Sequence, residues 1–87
     1  MEYYTTIGID VGATTSKICV MKKEGGERLT VAEATCATSQ EGFAEALEGF
    51  DRSALVVFET GTHCRWMKAH VESLGFKVLV ANPCKVR

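Results

Sequence analysis

Two acidic residues in this sequence stand where acids are least at home. Asp10 interrupts the alternating segment TTIGIDV (5–11), in which Ile7, Ile9 and Val11 fall on one side and Gly8 and Asp10 on the other. Glu59 closes the continuous apolar run ALVVF (54–58). An ionised carboxylate in such a strand is unfavourable unless it is paired, coordinated or near the end of the sheet. If the two strands lie side by side and parallel, about 4.8 Å apart, their carboxyl ends bring both acids to one divalent cation. Oxygen-only ligands favour Mg²⁺ or Mn²⁺ over softer metals. Paired ions of this kind, roughly 3.5–4 Å apart, activate the attacking oxygen and stabilise the leaving one in phosphodiester chemistry. Acids at strand ends are also common in proteins without such a role, so spacing alone leaves both readings open.

The residues around this pair add weaker signals. Thr60, Gly61 and Thr62 follow Glu59, and Gly61 suits a sharp turn beside a site as well as an ordinary strand-to-helix turn. Thr62, His63 and Arg65 are placed to face nucleic acid from a first helical turn, and Lys85 and Arg87 to meet phosphate, although solvated positions explain them too. Trp66 reads as a core residue rather than a base-stacking platform. Cys19, Cys36, Cys64 and Cys84 contain no C-x-x-C pair, and with only His63 and His70 as helpers they do not suggest a zinc site. Three of them sit within or beside apolar segments and read instead as small buried hydrophobes in a reducing compartment.

Elements able to hold the two acids follow from the pattern. The turn at Gly12–Thr15 separates the first strand from KICVM (17–21), making a hairpin. The charged, Gly-bearing stretch KKEGGE (22–27) then leads to a third strand from Leu29 to about Ala37. Ser39 is a helix cap, with Phe43, Ala46, Leu47 and Phe50 on one helical face up to the closing Asp51–Ser53. The run 54–58 is too short for a helix and suits a strand buried on both faces. Thr62 caps a second helix whose stripe is Trp66, Met67, His70, Val71 and Leu74, and Gly75 stops it. A second buried strand, KVLVA (77–81), ends at Asn82–Pro83. The order β-β-β-α-β-α-β describes an α/β fold with a mixed sheet: three antiparallel strands, then helical crossovers onto parallel ones.

Composition bounds the function. With 87 residues the chain is at most one domain, and its 46% hydrophobic and 24% charged content is that of a folding chain. A net charge of -1 lacks the basic excess of a free-standing nucleic-acid-binding domain, so phosphate-binding surface would have to lie elsewhere. The N-terminus has no basic-then-apolar leader and no run is long enough to span a bilayer, which predicts a cytoplasmic protein with no membrane contact.

Three segments carry a family resemblance: IGIDVGATTSKICVM (7–21), VVFETGTHCRWM (56–67) and LGFKVLVANPCKVR (74–87). Together they resemble the N-terminal part of insertion-sequence transposases with a DEDD-type, RuvC-like catalytic domain, the relatives of the Piv and MooV DNA invertases. The resemblance implies a ribonuclease H-like fold, truncated here before the end of the domain, with residues 1–87 a single partial domain. It implies Asp10 and Glu59 as the first two catalytic, metal-ligating acids, and Mg²⁺ or Mn²⁺ as cofactor. The family's other two aspartates are expected beyond Arg87, with a serine-bearing C-terminal domain, so this chain alone should bind metal weakly and be inactive. DNA is the implied partner, and a guide RNA is implied for the full-length protein.

Two other readings compete. The segment DVGATTSK (10–17) also resembles the first phosphate-binding hairpin of the actin, sugar-kinase and chaperone ATPase superfamily, which would make the chain part of an ATPase such as an acyl-CoA dehydratase activator. That reading needs a second phosphate loop and an adenosine site that 87 residues do not supply. The other is a non-catalytic remnant that self-associates through the uncovered edge of its fifth strand, giving a homo-oligomer.

Overall fold

A computed structural model of the chain describes residues 4–59 and 65–81. Its elements run in the order expected: β1 (Thr5–Asp10), β2 (Thr15–Glu24), β3 (Glu27–Ala37), α1 (Gln40–Leu47), β4 (Leu55–Glu59), α2 (Arg65–Ser73) and β5 (Lys77–Ala81). They form one five-stranded sheet ordered β3-β2-β1-β4-β5. The first three strands are antiparallel, while β4 returns beside β1 in parallel and β5 extends the sheet in parallel beyond it.

Strand alternation sorts the side chains onto two faces. Ile7 and Ile9 of β1, Ile18 and Val20 of β2, Val56 and Phe58 of β4 and Val78 of β5 are buried in one core with Phe43 and Leu47 of α1 and Met67 and Val71 of α2. The Phe43 and Phe58 rings meet edge to face at 5.9 Å and 78°, an arrangement that adds about 0.5–1.5 kcal/mol to their area burial. Helix α1 begins as its sequence demands, because Ser39 is extended and its Oγ accepts a 3.0 Å bond from the Gly42 amide. Helix α2 ends in a Schellman arrangement, in which the Gly75 amide donates to Glu72 O (2.9 Å) and the Phe76 amide to Val71 O (3.4 Å). This turns Phe76 into the core, where it is 4% exposed.

The structure corrects three expectations. The strand over 54–58 is buried on one face, not two: Val56 and Phe58 are covered, but Leu55 and Val57 are only half-buried and Leu79 of β5 is 54% exposed. Both helices lie against the same side of the sheet, so among the described residues nothing covers the other. Trp66 is 40% exposed rather than core. It sits one position from the buried Met67–Val71 line of α2, at the margin, where its ring leans on Phe43 at 5.9 Å. The second strand is also twice as long as its apolar run, spanning 10 residues. Lys22, Lys23 and Glu24 continue it into a hairpin arm, and the turn is confined to Gly25 and Gly26 at φ 60 and 85, values that suit a type I′ hairpin.

Candidate metal and phosphodiester site

The pairing of β1 with β4 runs from Thr6↔Leu55 to Ile9↔Phe58. Asp10 and Glu59 are the next residue on each strand, at the carboxyl ends of adjacent parallel strands. Both side chains are exposed and both point to the face that the helices leave open, where they line one cavity of about 260 Å³ with Gly8, Lys17, Cys19, Met21 and Glu33. The fold thus brings to one cavity the two acids that the sequence singles out.

The β1–β2 turn that follows Asp10 is tightly held. A Cβ on Gly12 would stand 2.3 Å from Thr15 O, so only glycine fits this close approach. The Thr38 hydroxyl donates to Gly12 O at 2.9 Å, and the Thr38 amide donates to Thr14 O at 2.9 Å. The Ser16 hydroxyl lies 2.7 Å from Thr38 Oγ1 and is 1% exposed. Because the one hydroxyl proton of Thr38 goes to Gly12 O, Ser16 is the donor in this pair. The end of β3 thus fastens the turn beside Asp10.

Three cavity-lining polar residues, Lys17, Cys19 and Glu33, were not read from the sequence as part of a site. Lys17 is the cross-strand partner of Asp10, and Cys19 that of Gly8. The signal was available in the hairpin: a turn centred between Ala13 and Thr14 places residue 17 opposite residue 10. Glu33 enters from β3, paired with Cys19, and its Oε1 is 3.7 Å from Lys17 Nζ. No sequence signal marks Glu33, since its register depends on an irregularity at Val20/Met21.

Of the other residues singled out, Thr60, Gly61, Thr62, His63, Lys85 and Arg87 lie outside the described residues, as do Cys64 and Cys84. Arg65 opens α2. His70 is not a core residue: its Nε2 sits 2.9 Å from Gln40 O, tying α2 to the start of α1. Cys19 and Cys36 are free and half-buried, and burial raises the Cys36 thiol above its ordinary value.

The donor set suits a hard cation that keeps much of its water. Among the described residues no group of three or more His, Cys, Asp or Glu side chains is arranged to hold a metal. Two strand-end carboxylates in an open cavity nevertheless match Mg²⁺, which is commonly held by one or two carboxylates together with water and substrate phosphate. A second cleft of about 270 Å³, between the end of α1 and the α2–β5 turn, is lined by Arg52 and Phe76. The Arg52 guanidinium there is committed to Leu74 O (2.8 Å) and Phe50 O (2.7 Å), so this cleft is a structural seam.

No family model matches this sequence, and no curated protein matches it. Solved structures do. The Fowlpox virus resolvase, solved in complex with its substrate Holliday junction DNA, aligns over 95% of this chain and 62% of its own, with 14% identity and a TM-score of 0.67. Thermus thermophilus RuvC aligns over 91% of this chain and 64% of its own, with 19% identity and a TM-score of 0.61. The Aquifex aeolicus PPX-GPPA enzyme also aligns, at 15% identity and a TM-score of 0.46, a likeness too loose to carry an argument. The chain spans under two thirds of the length of the two resolvase structures. Its fold is the RuvC-like, ribonuclease H-like mixed sheet.

Proposed function

We propose that this chain supplies the first half of a metal-dependent, DNA-cleaving active site, in which Asp10 and Glu59 hold a divalent cation. The observation that carries the reading is the convergence of these two acids, 49 positions apart in the sequence, at adjacent strand ends in one cavity. Bound there, Mg²⁺ or Mn²⁺ would activate the attacking oxygen and stabilise the leaving oxygen of a phosphodiester. The chain's own part is to fix the two carboxylates, which it does by fastening the turn after Asp10 and by ending β4 at Glu59. DNA as substrate is supported by the fold shared with a resolvase solved on junction DNA.

The finer reading is a DEDD-type insertion-sequence transposase, supported by the sequence segments around Asp10 and Glu59 and by the VANPCKVR ending (80–87). In the whole protein two further aspartates would complete the site, and a guide RNA would select the DNA. Self-association belongs to the same proposal, because β5 is an edge strand among the described residues and unpaired edges invite a second copy.

Calorimetric titration with Mn²⁺ tests the metal site. The wild-type chain should bind weakly, and D10N and E59Q should each abolish the signal while leaving the fold intact by circular dichroism. Unchanged Mn²⁺ binding in both variants would refute the assignment.

A further inference from the structure

The acidic cavity contains a lysine, and its position is not what a simple metal site calls for. Lys17 stands directly across from Asp10 on β2, and among the described residues it is the one cation lining the cavity. A metal held by Asp10 and Glu59 would repel a neighbouring ammonium. A surface ion pair with Asp10 would, in turn, compete with the metal. The fold counters the second outcome by giving Lys17 another partner, Glu33 at 3.7 Å, on β3, which flanks β2 on the side away from β1 and Asp10.

That partnership is loose. Both side chains are more than half exposed, at 60% and 54%, and pairs of this kind contribute about 0–1 kcal/mol. An incoming anion can therefore take the ammonium from Glu33 at little cost. The four charged side chains lining the cavity, Asp10, Glu59, Glu33 and Lys17, carry a net charge that one divalent cation neutralises. With the excess of negative charge cancelled, a phosphodiester group, which carries a single negative charge, can lie between a metal on one wall and an ammonium on the other.

We propose that Lys17 is a phosphate-contacting residue of this site, binding a nonbridging oxygen of the DNA phosphodiester that Asp10 and Glu59 address through the metal, with Glu33 as its positioning residue. This rests on the function proposed above. Its recognition is of backbone charge and carries no base sequence.

The test measures binding of four-way-junction DNA by the wild-type 87-residue chain, K17M and K17R across a salt series, in Ca²⁺ so that binding is read rather than cleavage. Lys17 is exposed, so K17M should fold normally. Loss of one phosphate contact should flatten the slope of log K against log salt by about 0.9 and weaken binding several-fold at low salt, and K17R should restore both. Mn²⁺ affinity measured without DNA should be unchanged or slightly tighter in K17M, because a nearby positive charge is gone. If wild type binds DNA and K17M matches it in slope and affinity, the Lys17 assignment is overturned while the metal site stands. If wild type binds no DNA, the Lys17 assignment fails with the DNA reading, and the Mn²⁺ titrations of D10N and E59Q then judge the metal site separately.

Discussion

Replacing Thr38 by valine removes one hydroxyl and nothing else in shape, yet it should disable the fastening of the turn next to Asp10. Thr38 Oγ1 serves two partners, donating to Gly12 O at 2.9 Å and accepting from Ser16 at 2.7 Å. Each such bond contributes about 0.5–1.5 kcal/mol net, and a buried group left without a partner costs about 1–3 kcal/mol. Ser16, at 1% exposure, has no water to turn to. T38V should therefore lose about 2–3 kcal/mol, S16A about 1 kcal/mol because Thr38 keeps its bond to Gly12 O, and the double variant little more than T38V alone. The expected coupling between the two sites is about 1 kcal/mol. Urea unfolding of the four proteins of the cycle measures it, and thermal scans should show T38V melting about 10 °C or more below wild type, at about 4–8 °C per kcal/mol for a domain of this size. A T38V protein within 0.5 kcal/mol of wild type, or strictly additive single effects, would refute the claim that this hydroxyl ties the turn down.

Two further outcomes follow from side chains away from the site. Arg52 ties the turn after α1 to the α2–β5 turn through Phe50 O, Leu74 O and a guanidinium stacked 4.7 Å over the Phe76 ring, so R52M should lower stability by about 1–2 kcal/mol in urea titrations, with no change in Mn²⁺ affinity. Burial raises the Cys36 thiol above its ordinary value, so its stabilising contribution is present below the unfolded-state value and is lost as pH rises through the folded-state one. Stability measured from pH 8 to 10 should fall more steeply in wild type than in C36A, and equal slopes would contradict it.

How much of this was readable from sequence depends on how local the cause is. Asp10 and Glu59 were legible because each breaks an otherwise apolar strand, and the return of β4 beside β1 follows from element order alone. The length of β2 was not, because Lys22, Lys23 and Glu24 look like loop residues, and a hairpin arm solvated on both faces needs no apolar alternation to persist. Trp66 was misread for a different reason. Helical periodicity marks a stripe but not its margins, and Trp66 lies at the margin, against Phe43. The half-exposure of Leu55, Val57 and Leu79 lay beyond periodicity too, since an apolar residue on a strand does not reveal whether a covering layer is present on its side. Lys17 and Glu33 were missed because each is an ordinary polar strand residue until strand register places it next to an acid.

The irregularity between Val20 and Met21 divides the long hairpin into two registers. Toward its base, Lys17 and Glu33 are fixed relative to Asp10; toward its tip, Arg28 Nη1 reaches the Thr6 hydroxyl and the chain reverses at Gly25–Gly26. An extra residue absorbed at the bulge lets the outer part change length or sequence without propagating a slip inward. The glycine tip is thus a practical insertion point for a fluorophore or affinity handle that leaves the acidic end as folded.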